Sequence, residues 1–160
     1  YTEIRNKLAQ IDDNLKTSVE YGKGIRILNQ DLWETIISFI ISANNNIPRI
    51  KGIIERLSKA YGKKILWNGK EYYTFPSVQD FRNLGLGFRD VRLYETTHKI
   101  INKEIDLENL KNLNTHEARE ELLKLSGVGP KVADCILLFS TLKRFDVFPI
   151  DVWVRRVMNE

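Results

Sequence analysis

The chain has 160 residues, of which 42% are hydrophobic, 29% charged and 10% aromatic. This mixture is typical of one globular domain and excludes a disordered or collagen-like chain. A net charge of +4 permits a nucleic-acid partner without requiring one. The single cysteine, Cys135, excludes an intrachain disulfide and a cluster of local thiolates, and the two histidines stand too far from it for a zinc motif.

The cysteine usage and the apolar segments indicate where the protein works. A lone cysteine is typical of a reducing, intracellular compartment, which is a bacterial or archaeal cytoplasm or, in a eukaryote, the nucleus. The longest apolar stretch, residues 35–43, is far shorter than a bilayer span, and the N-terminus lacks the profile of a signal peptide. We therefore expect a soluble protein with no membrane partner.

Helices dominate the predicted structure. Residues 1–15 are predicted to form a helix that leads into an extended stretch at residues 24–28. Six further helices are predicted from side chains that recur at helical spacing. Asp31 caps the first of these, Gly62 ends the second, and the fourth begins at Thr115 with an incomplete capping box. The recurring positions are Leu32, Ile36, Phe39 and Ile40; Ile50, Ile53, Ile54, Leu57 and Tyr61; Val91, Tyr94, His98 and Ile101; Leu122, Leu123 and Leu125; Val132, Cys135, Ile136 and Phe139; and Val152, Val154 and Val157.

One segment departs from the helical pattern. Asn68 and Gly69 stand between apolar and aromatic residues, which is the short-range signature of a tight β-hairpin. The fold class predicted from the sequence is therefore mainly α, with one small β-hairpin near residues 65–75.

The most informative segment for chemistry is residues 125–135, which read LSGVGPKVADC. A helix ends there, two glycines form a tight turn, and Pro130 opens the next helix, where its fixed φ and missing donor are tolerated. The glycines let the backbone approach a bulky anion, so the N–H groups of Gly127, Gly129 and Val132 are candidates for binding a phosphate. The glycine spacing taken alone favours a simple corner between two helices.

Three more motifs accompany this segment, at residues 44–50 (NNNIPRI), 84–89 (LGLGFR) and 148–152 (FPIDV). Together with LSGVGPKVADC they resemble the helix-hairpin-helix DNA glycosylases that carry a Gly/Pro-rich loop and an aspartate. The KVADC ending is similar to the 8-oxoguanine DNA glycosylase branch of that superfamily. The resemblance covers residues 25–158.

The resemblance also implies a domain organisation. Residues 1–160 correspond to a helical glycosylase core, with the helix-hairpin-helix at residues 115–140 and the Pro/Asp loop with its following helix at residues 145–160. Full-length members of the family carry a β-sheet domain before this region and another helix after it. The chain is therefore expected to be truncated at both ends.

The activity implied by the resemblance is bifunctional base-excision repair, in which 8-oxoguanine opposite cytosine is excised and the abasic strand is cleaved. Lys131 matches the family's catalytic lysine, which attacks the anomeric carbon, forms a Schiff base and permits β-elimination. The attacking amine must be neutral, which requires burial or nearby cations to lower its pKa. Asp151 matches the aspartate that stabilises positive charge on the sugar, although capping of the next helix explains an aspartate there equally well.

Other side chains are assigned through the same resemblance, because a base inside a duplex must be swung out before it can be excised. Asn44 is expected to fill the vacated stack, Arg49 and Arg89 to read the orphaned cytosine, and Phe88 to wedge beside it. Cys135 is expected to pack against the extruded purine. The alternatives are an ordinary polar helix terminus at residues 44–46, a core aromatic at position 88 and a cysteine that only fills the core.

The resemblance implies no required cofactor. It implies a structural monovalent cation held by the backbone carbonyls of Leu123, Leu125 and Val128. The family's histidine two residues after the aspartate is replaced by Trp153, so one phosphate contact lacks its usual residue.

Damaged double-stranded DNA is the expected partner, and the expected state is a monomer. Two alternatives stay open. One is a glycosylase of the same superfamily for other damaged bases, although the lack of a cysteine cluster counts against its iron–sulfur branch. The other is a non-catalytic DNA-binding module that uses the hairpin as a phosphate clamp, for which salt-sensitive binding without cleavage is expected.

Overall fold

The protein is mainly helical. The computed structural model describes residues 1–79, 81 and 84–158, and within these ranges it contains eight α-helices, a 3-10 turn at Asn109–Lys111 and one two-stranded antiparallel sheet. The predicted fold class is thereby confirmed. In this part of the chain no helix has the length and apolar character needed to cross a bilayer. The elements are α1 (Thr2–Ala9), α2 (Asp13–Tyr21), α3 (Leu32–Ser42), α4 (Ile47–Tyr61), β1 (Lys64–Trp67), β2 (Lys70–Tyr73), α5 (Phe88–Ile101), α6 (Thr115–Leu123), α7 (Pro130–Phe139) and α8 (Val152–Met158).

Helix α3 is the centre of the hydrophobic core. Its apolar residues are not confined to one stripe, which is the pattern of a helix buried on most sides. It packs against α4, α5 and α7. The fully buried side chains at the centre of the core are Ile36, Ile37, Ile40 and Ile41 of α3, Leu57 of α4, Leu122 of α6, and Ile136 and Leu137 of α7, each with 0% exposure.

The first segment folds as two helices, so the prediction of one helix over residues 1–15 is wrong. The break falls before Asp12, whose carboxylate accepts the N–H of Leu15 at 2.7 Å and caps α2. An aspartate at this position stabilises a new helix start better than a continued helix interior. Arg5 joins α1 to α2 through an ion pair with Glu20 at 2.9 Å. The stretch after α2 carries no helix, as predicted.

The helix caps follow the sequence closely, with one shift. Asp31 caps α3 by accepting the N–H of Glu34 at 2.9 Å, and α4 ends before Gly62, as predicted. The cap of α6 is Asn114 rather than Thr115. Asn114 and Glu117 form a complete capping box, with bonds of 2.9 and 3.1 Å, because the shift by one residue brings a carboxylate to the third helical position.

The β-hairpin is confirmed at the predicted turn. Asn68 and Gly69 both have positive φ, 47° and 71°, as a two-residue turn of this hand requires. The hairpin lies against the end of α4 at Gly62, where the backbone of Thr74 comes very close. This close approach explains why the residue after α4 has no side chain.

The contact at Gly62 gives a test of the fold. A Cβ added there would lie 2.0 Å from the carbonyl oxygen of Thr74 and 2.6 Å from that of Ser58, and neither backbone group can move away cheaply. Gly62→Ala is expected to lower the free energy of unfolding by about 1–3 kcal/mol, measured by urea denaturation. The matched control is Gly52→Ala inside α4, where the nearest atom would be at 3.7 Å and a gain of about 0.5–1 kcal/mol in the free energy of unfolding is expected. Equal stability of the two variants would contradict the described docking of the hairpin.

Candidate active site

The turn between α6 and α7 presents free backbone donors. Gly127 has a φ of 86°, and Gly129 precedes α7 with no side-chain cap on that helix. Within the described residues, the N–H groups of Gly127, Gly129 and Val132 donate no hydrogen bond. Donors of this kind at a helix start suit an anion.

Lys131 lies in the first turn of α7 and is exposed. Its Nζ stands 5.4 Å from the ring centroid of Phe39. The side chain lines an open cavity of about 750 Å³, so the amine has concave space beside it. The cavity is also lined by Arg119, Pro130, Asp134, Asp146, Val147, Phe148, Ile150, Arg155 and Met158.

Cys135 lies one helical turn after Lys131 and is 3% exposed, so its side chain is both in the core and beside the amine. Burial raises the pKa of the Cys135 thiol, and the charge and hydrogen bond of Lys131 oppose this shift. The carboxylates of Asp134 and Asp151 add smaller upward contributions to that pKa. At neutral pH the residue is therefore a thiol, and both carboxylates lie within electrostatic reach of it.

Asp151 is partly buried and caps α8. Its Oδ1 accepts the N–H groups of Trp153 at 2.9 Å and Val154 at 2.8 Å. Its Oδ2 has no hydrogen bond among the described residues. Asp151 does not itself line the cavity beside Lys131, whereas its neighbour Ile150 and Arg155 one turn later do. Capping is therefore observed, and one carboxylate oxygen is left for a second role.

Asp134 pairs with a residue that sequence reasoning missed. Asp134 is only 5% exposed, and its carboxylate accepts a hydrogen bond from Arg119 of α6 at 2.5 Å. This ion pair joins the two helices that flank the glycine turn. The partners are 15 residues apart, so no helical spacing could have signalled the pair.

A second cluster forms where α3 ends. Asn44 is exposed and has a φ of 49°, which shows that the chain turns sharply there. Arg89 comes from α5 and is 2% exposed. Its Nη2 donates to the carbonyl oxygens of Ala43 at 2.6 Å and of Asn44 at 2.7 Å. Arg89 thus fixes the backbone that carries Asn44.

The electrostatics of this cluster are strongly positive. Burial lowers the pKa of Arg89, and the charges of Arg49 and Arg92 lower it further, so three guanidinium groups lie near one another. In the described part of the chain no carboxylate forms an ion pair with any of them. The Nε and Nη2 atoms of Arg89 are bonded to backbone carbonyls, so among the described residues Nη1 is the guanidinium nitrogen that keeps its donors for another acceptor.

Phe88 opens α5 and is 49% exposed, so it is not a core aromatic. The alternative reading of residues 44–46 as an ordinary polar helix terminus holds only in part. Asn46 is the cap of α4 and accepts the N–H of Arg49 at 3.0 Å, whereas the Asn44 side chain caps no helix among the described residues. The structure brings the predicted site residues together in two groups. One contains Lys131, Cys135 and Asp151; the other contains Asn44, Arg49, Phe88 and Arg89.

The carbonyls assigned to a cation can be tested for fit. The Leu125 carbonyl accepts the N–H of Val128 at 3.2 Å, which leaves it one lone pair, and those of Leu123 and Val128 accept no backbone N–H across the turn within the described residues. Hard oxygen donors of this kind suit a hard cation. Elsewhere in the described ranges, no group of three or more His, Cys, Asp or Glu could hold a metal ion.

Two family models match the chain. The N-terminal domain of 8-oxoguanine DNA glycosylase matches residues 1–36, and the helix-hairpin-helix motif matches residues 118–139. The first match extends the similarity beyond residues 25–158 to the start of the chain. The second falls within residues 115–140, where the sequence places that motif.

Known proteins agree with these matches. A probable N-glycosylase/DNA lyase of Methanothermobacter thermautotrophicus is 35% identical over 92% of this chain and 56% of its own length. The apo crystal structure of Clostridium acetobutylicum 8-oxoguanine glycosylase/lyase is 49% identical, with a TM-score of 0.91 over 99% of this chain and 57% of that one. The same enzyme in complex with double-stranded DNA containing cytosine opposite 8-oxoguanine is 48% identical, with a TM-score of 0.89 over the same shares.

The chain spans about half the length of the curated relatives it matches. The match to the apo structure covers almost the whole chain. It therefore includes the helices, the glycine turn, Lys131 and Asp151. The chain therefore belongs to the 8-oxoguanine DNA glycosylase family, within the helix-hairpin-helix DNA glycosylases.

Proposed function

We propose that the protein is a bifunctional DNA glycosylase and abasic-site lyase that excises 8-oxoguanine opposite cytosine. The observation that carries this proposal is the placement of Lys131 beside an open cavity, next to the Cys135 thiol and within one electrostatic environment with Asp151. A primary amine at the start of α7 and a carboxylate at the start of α8 are the nucleophile and the charge-stabilising group that base displacement through a Schiff base uses.

The first step is base displacement. The neutral Nζ of Lys131 attacks C1′ of the extruded nucleotide, the bond from C1′ to the base breaks, and the base leaves with its bonding electrons and is protonated. Asp151 stabilises the positive charge that develops on the sugar. Loss of a proton from the new C1′–N group and opening of the ring then give a Schiff base.

The second step is strand cleavage. The protonated Schiff base acidifies the C2′ proton, and its removal by a base breaks the C3′–O bond and releases the 3′ phosphate. Water finally hydrolyses the remaining imine and returns the Lys131 amine. The donors of Gly127, Gly129 and Val132 hold a phosphate of the same DNA, which keeps the sugar at the amine.

The second cluster opens the duplex. Phe88 is the only one of its residues with a large apolar side chain and is half exposed, so it inserts beside the orphaned cytosine and kinks the DNA. Asn44 occupies the vacated stack, and the guanidinium groups of Arg49 and Arg89 donate to the cytosine. A monovalent cation on the carbonyls of Leu123, Leu125 and Val128 would stiffen the turn that holds the phosphate. The protein acts on damaged double-stranded DNA as a monomer.

Borohydride trapping tests the nucleophile. Incubation with a duplex containing 8-oxoguanine opposite cytosine and borohydride is expected to give a covalent adduct, because hydride reduces the Schiff base to a stable amine. Lys131→Gln is expected to abolish the adduct. Lys59→Gln, at an exposed lysine of α4, is the control and should trap like the wild type. Undiminished trapping by Lys131→Gln would show that another amine attacks, and salt-sensitive binding without any adduct in the wild type would favour a DNA-binding module.

Two substitutions separate helix capping by Asp151 from its proposed role in stabilising positive charge on the sugar. Asparagine is as good a helix cap as aspartate, so Asp151→Asn should keep the bonds to Trp153 and Val154 and leave the melting temperature unchanged. Because the charge is lost, the rate of base removal is expected to fall by about 10²-fold or more. Asp151→Ala should lose the same activity and also about 1 kcal/mol of stability. Wild-type excision by Asp151→Asn would confine the residue to capping.

The opposite base tests the second cluster. The wild type is expected to excise 8-oxoguanine faster opposite cytosine than opposite adenine. Arg49→Ala should lower the ratio of the excision rate opposite cytosine to that opposite adenine by about tenfold. One good contact to a base edge discriminates between bases by about 1–3 kcal/mol. Arg56→Ala, two turns further along α4, is the matched control. An unchanged preference in Arg49→Ala would remove Arg49 from base reading, and faster excision of an oxidised pyrimidine or alkylated purine by the wild type would move the protein to another branch.

A further inference from the structure

Two guanidinium groups lie close to the ring of Phe88. The Cζ atoms of Arg89 and Arg92 stand 4.3 and 4.8 Å from its centroid, within the range of attraction between a cation and an aromatic ring. Phe88 and Arg92 are four residues apart on α5 and therefore share one helix face. The Arg89 guanidinium also donates to the carbonyls of Ala43 and Asn44. The Arg92 guanidinium donates no hydrogen bond to any described residue, which leaves the ring of Phe88 as its contact.

The stem of Arg92 is held by the glycine turn. A Cβ added to Gly127 would lie 2.9 Å from the Cδ and 3.5 Å from the Cβ of Arg92, and 3.4 Å from a methyl group of Ile40. The aliphatic part of Arg92 therefore occupies the space that a side chain at position 127 would need. Its backbone end is fixed by α5, its stem by Gly127, and its charged end by the ring of Phe88.

We propose that Arg92 is a positioning residue that holds Phe88 in its outward orientation and links this wedge to the phosphate-binding turn at Gly127. The inference rests on the proposed function, in which Phe88 kinks the duplex. A ring on the first residue of a helix can rotate freely unless neighbours restrict it. The stem of Arg92 packs against Gly127, and its guanidinium contacts the ring of Phe88. A movement of the turn when it binds DNA would therefore be passed to the ring that inserts.

The charge of Arg92 has a separate consequence. Within the described residues no carboxylate forms an ion pair with Arg92, and its charge acts on the neighbouring Arg89. A guanidinium so placed could also contact a DNA phosphate. The two roles differ in what they require of Phe88, because a phosphate contact works without the ring and a positioning contact does not.

The test uses two substitutions of Arg92 and two duplexes. Arg92→Met keeps most of the stem and removes the cation, whereas Arg92→Lys keeps both a stem and a cation. One duplex contains 8-oxoguanine opposite cytosine; the other contains a preformed abasic site opposite cytosine and is already easy to bend. Arg56→Met is the control for loss of one positive charge.

Arg92→Met is expected to lower kcat/KM for excision from the paired duplex by about three- to tenfold, the size of one such cation–ring contact. Cleavage of the abasic duplex should fall less, by under about twofold. Arg92→Lys should restore most of the excision, and Arg56→Met should leave both reactions unchanged. Because Arg92 acts through the ring, Phe88→Ala with Arg92→Met should be no slower than Phe88→Ala alone.

Several results would overturn the inference. Equal losses on both duplexes would indicate a merely structural role, and additive losses in the double variant would show that Arg92 and Phe88 act independently. If Arg92→Met lowers the slope of log binding constant against log salt concentration by about one unit on every duplex, Arg92 contacts a phosphate instead. Wild-type excision by Arg92→Met would refute the inference while leaving the proposed function intact. Absence of excision and trapping in the wild type would refute the proposed function, and the inference with it.

Discussion

The burial of α3 is the constraint on which the two site clusters depend. Four isoleucines of this helix are fully buried, so the helix cannot shift without opening the close-packed core. On one side its Phe39 stacks on Phe139 of α7 at 6.4 Å and lies beneath the amine of Lys131. At its end the chain turns into Asn44. One buried helix thus positions both the ring beneath the Lys131 amine and the turn that carries Asn44.

Several side chains serve the fold and the site together. Asp151 caps α8 with one oxygen, and the other, which has no partner among the described residues, is the one that the proposal uses. Arg89 fixes the backbone at Asn44 with the group that the proposal assigns to base reading. Asp134 is withdrawn from the amine because Arg119 holds it, so its charge stabilises the helix pair rather than neutralising Lys131 directly. A glycine in the turn is required both by its positive φ and by the stem of Arg92.

Local sequence patterns were sufficient for most of the helices, the β-hairpin and the glycine turn, because spacing, caps and Asn68–Gly69 act over a few residues. They failed at the break before Asp12, where the same polar residues fit a helix or a cap, and at Asn114, where the cap lies one residue earlier. They could not reveal the pair of Arg119 with Asp134, or the bonds from Arg89 to Ala43, which join residues 15 and 46 positions apart.

The central claim is that the amine of Lys131 becomes covalently joined to C1′ of the damaged nucleotide. Mass-spectrometric mapping of the borohydride-reduced adduct tests this most directly, because reduction fixes the sugar remnant to the attacking nitrogen. The account predicts the added mass on the peptide that contains Lys131, and on no other peptide. Its location on another lysine or on the N-terminal amine would contradict the account.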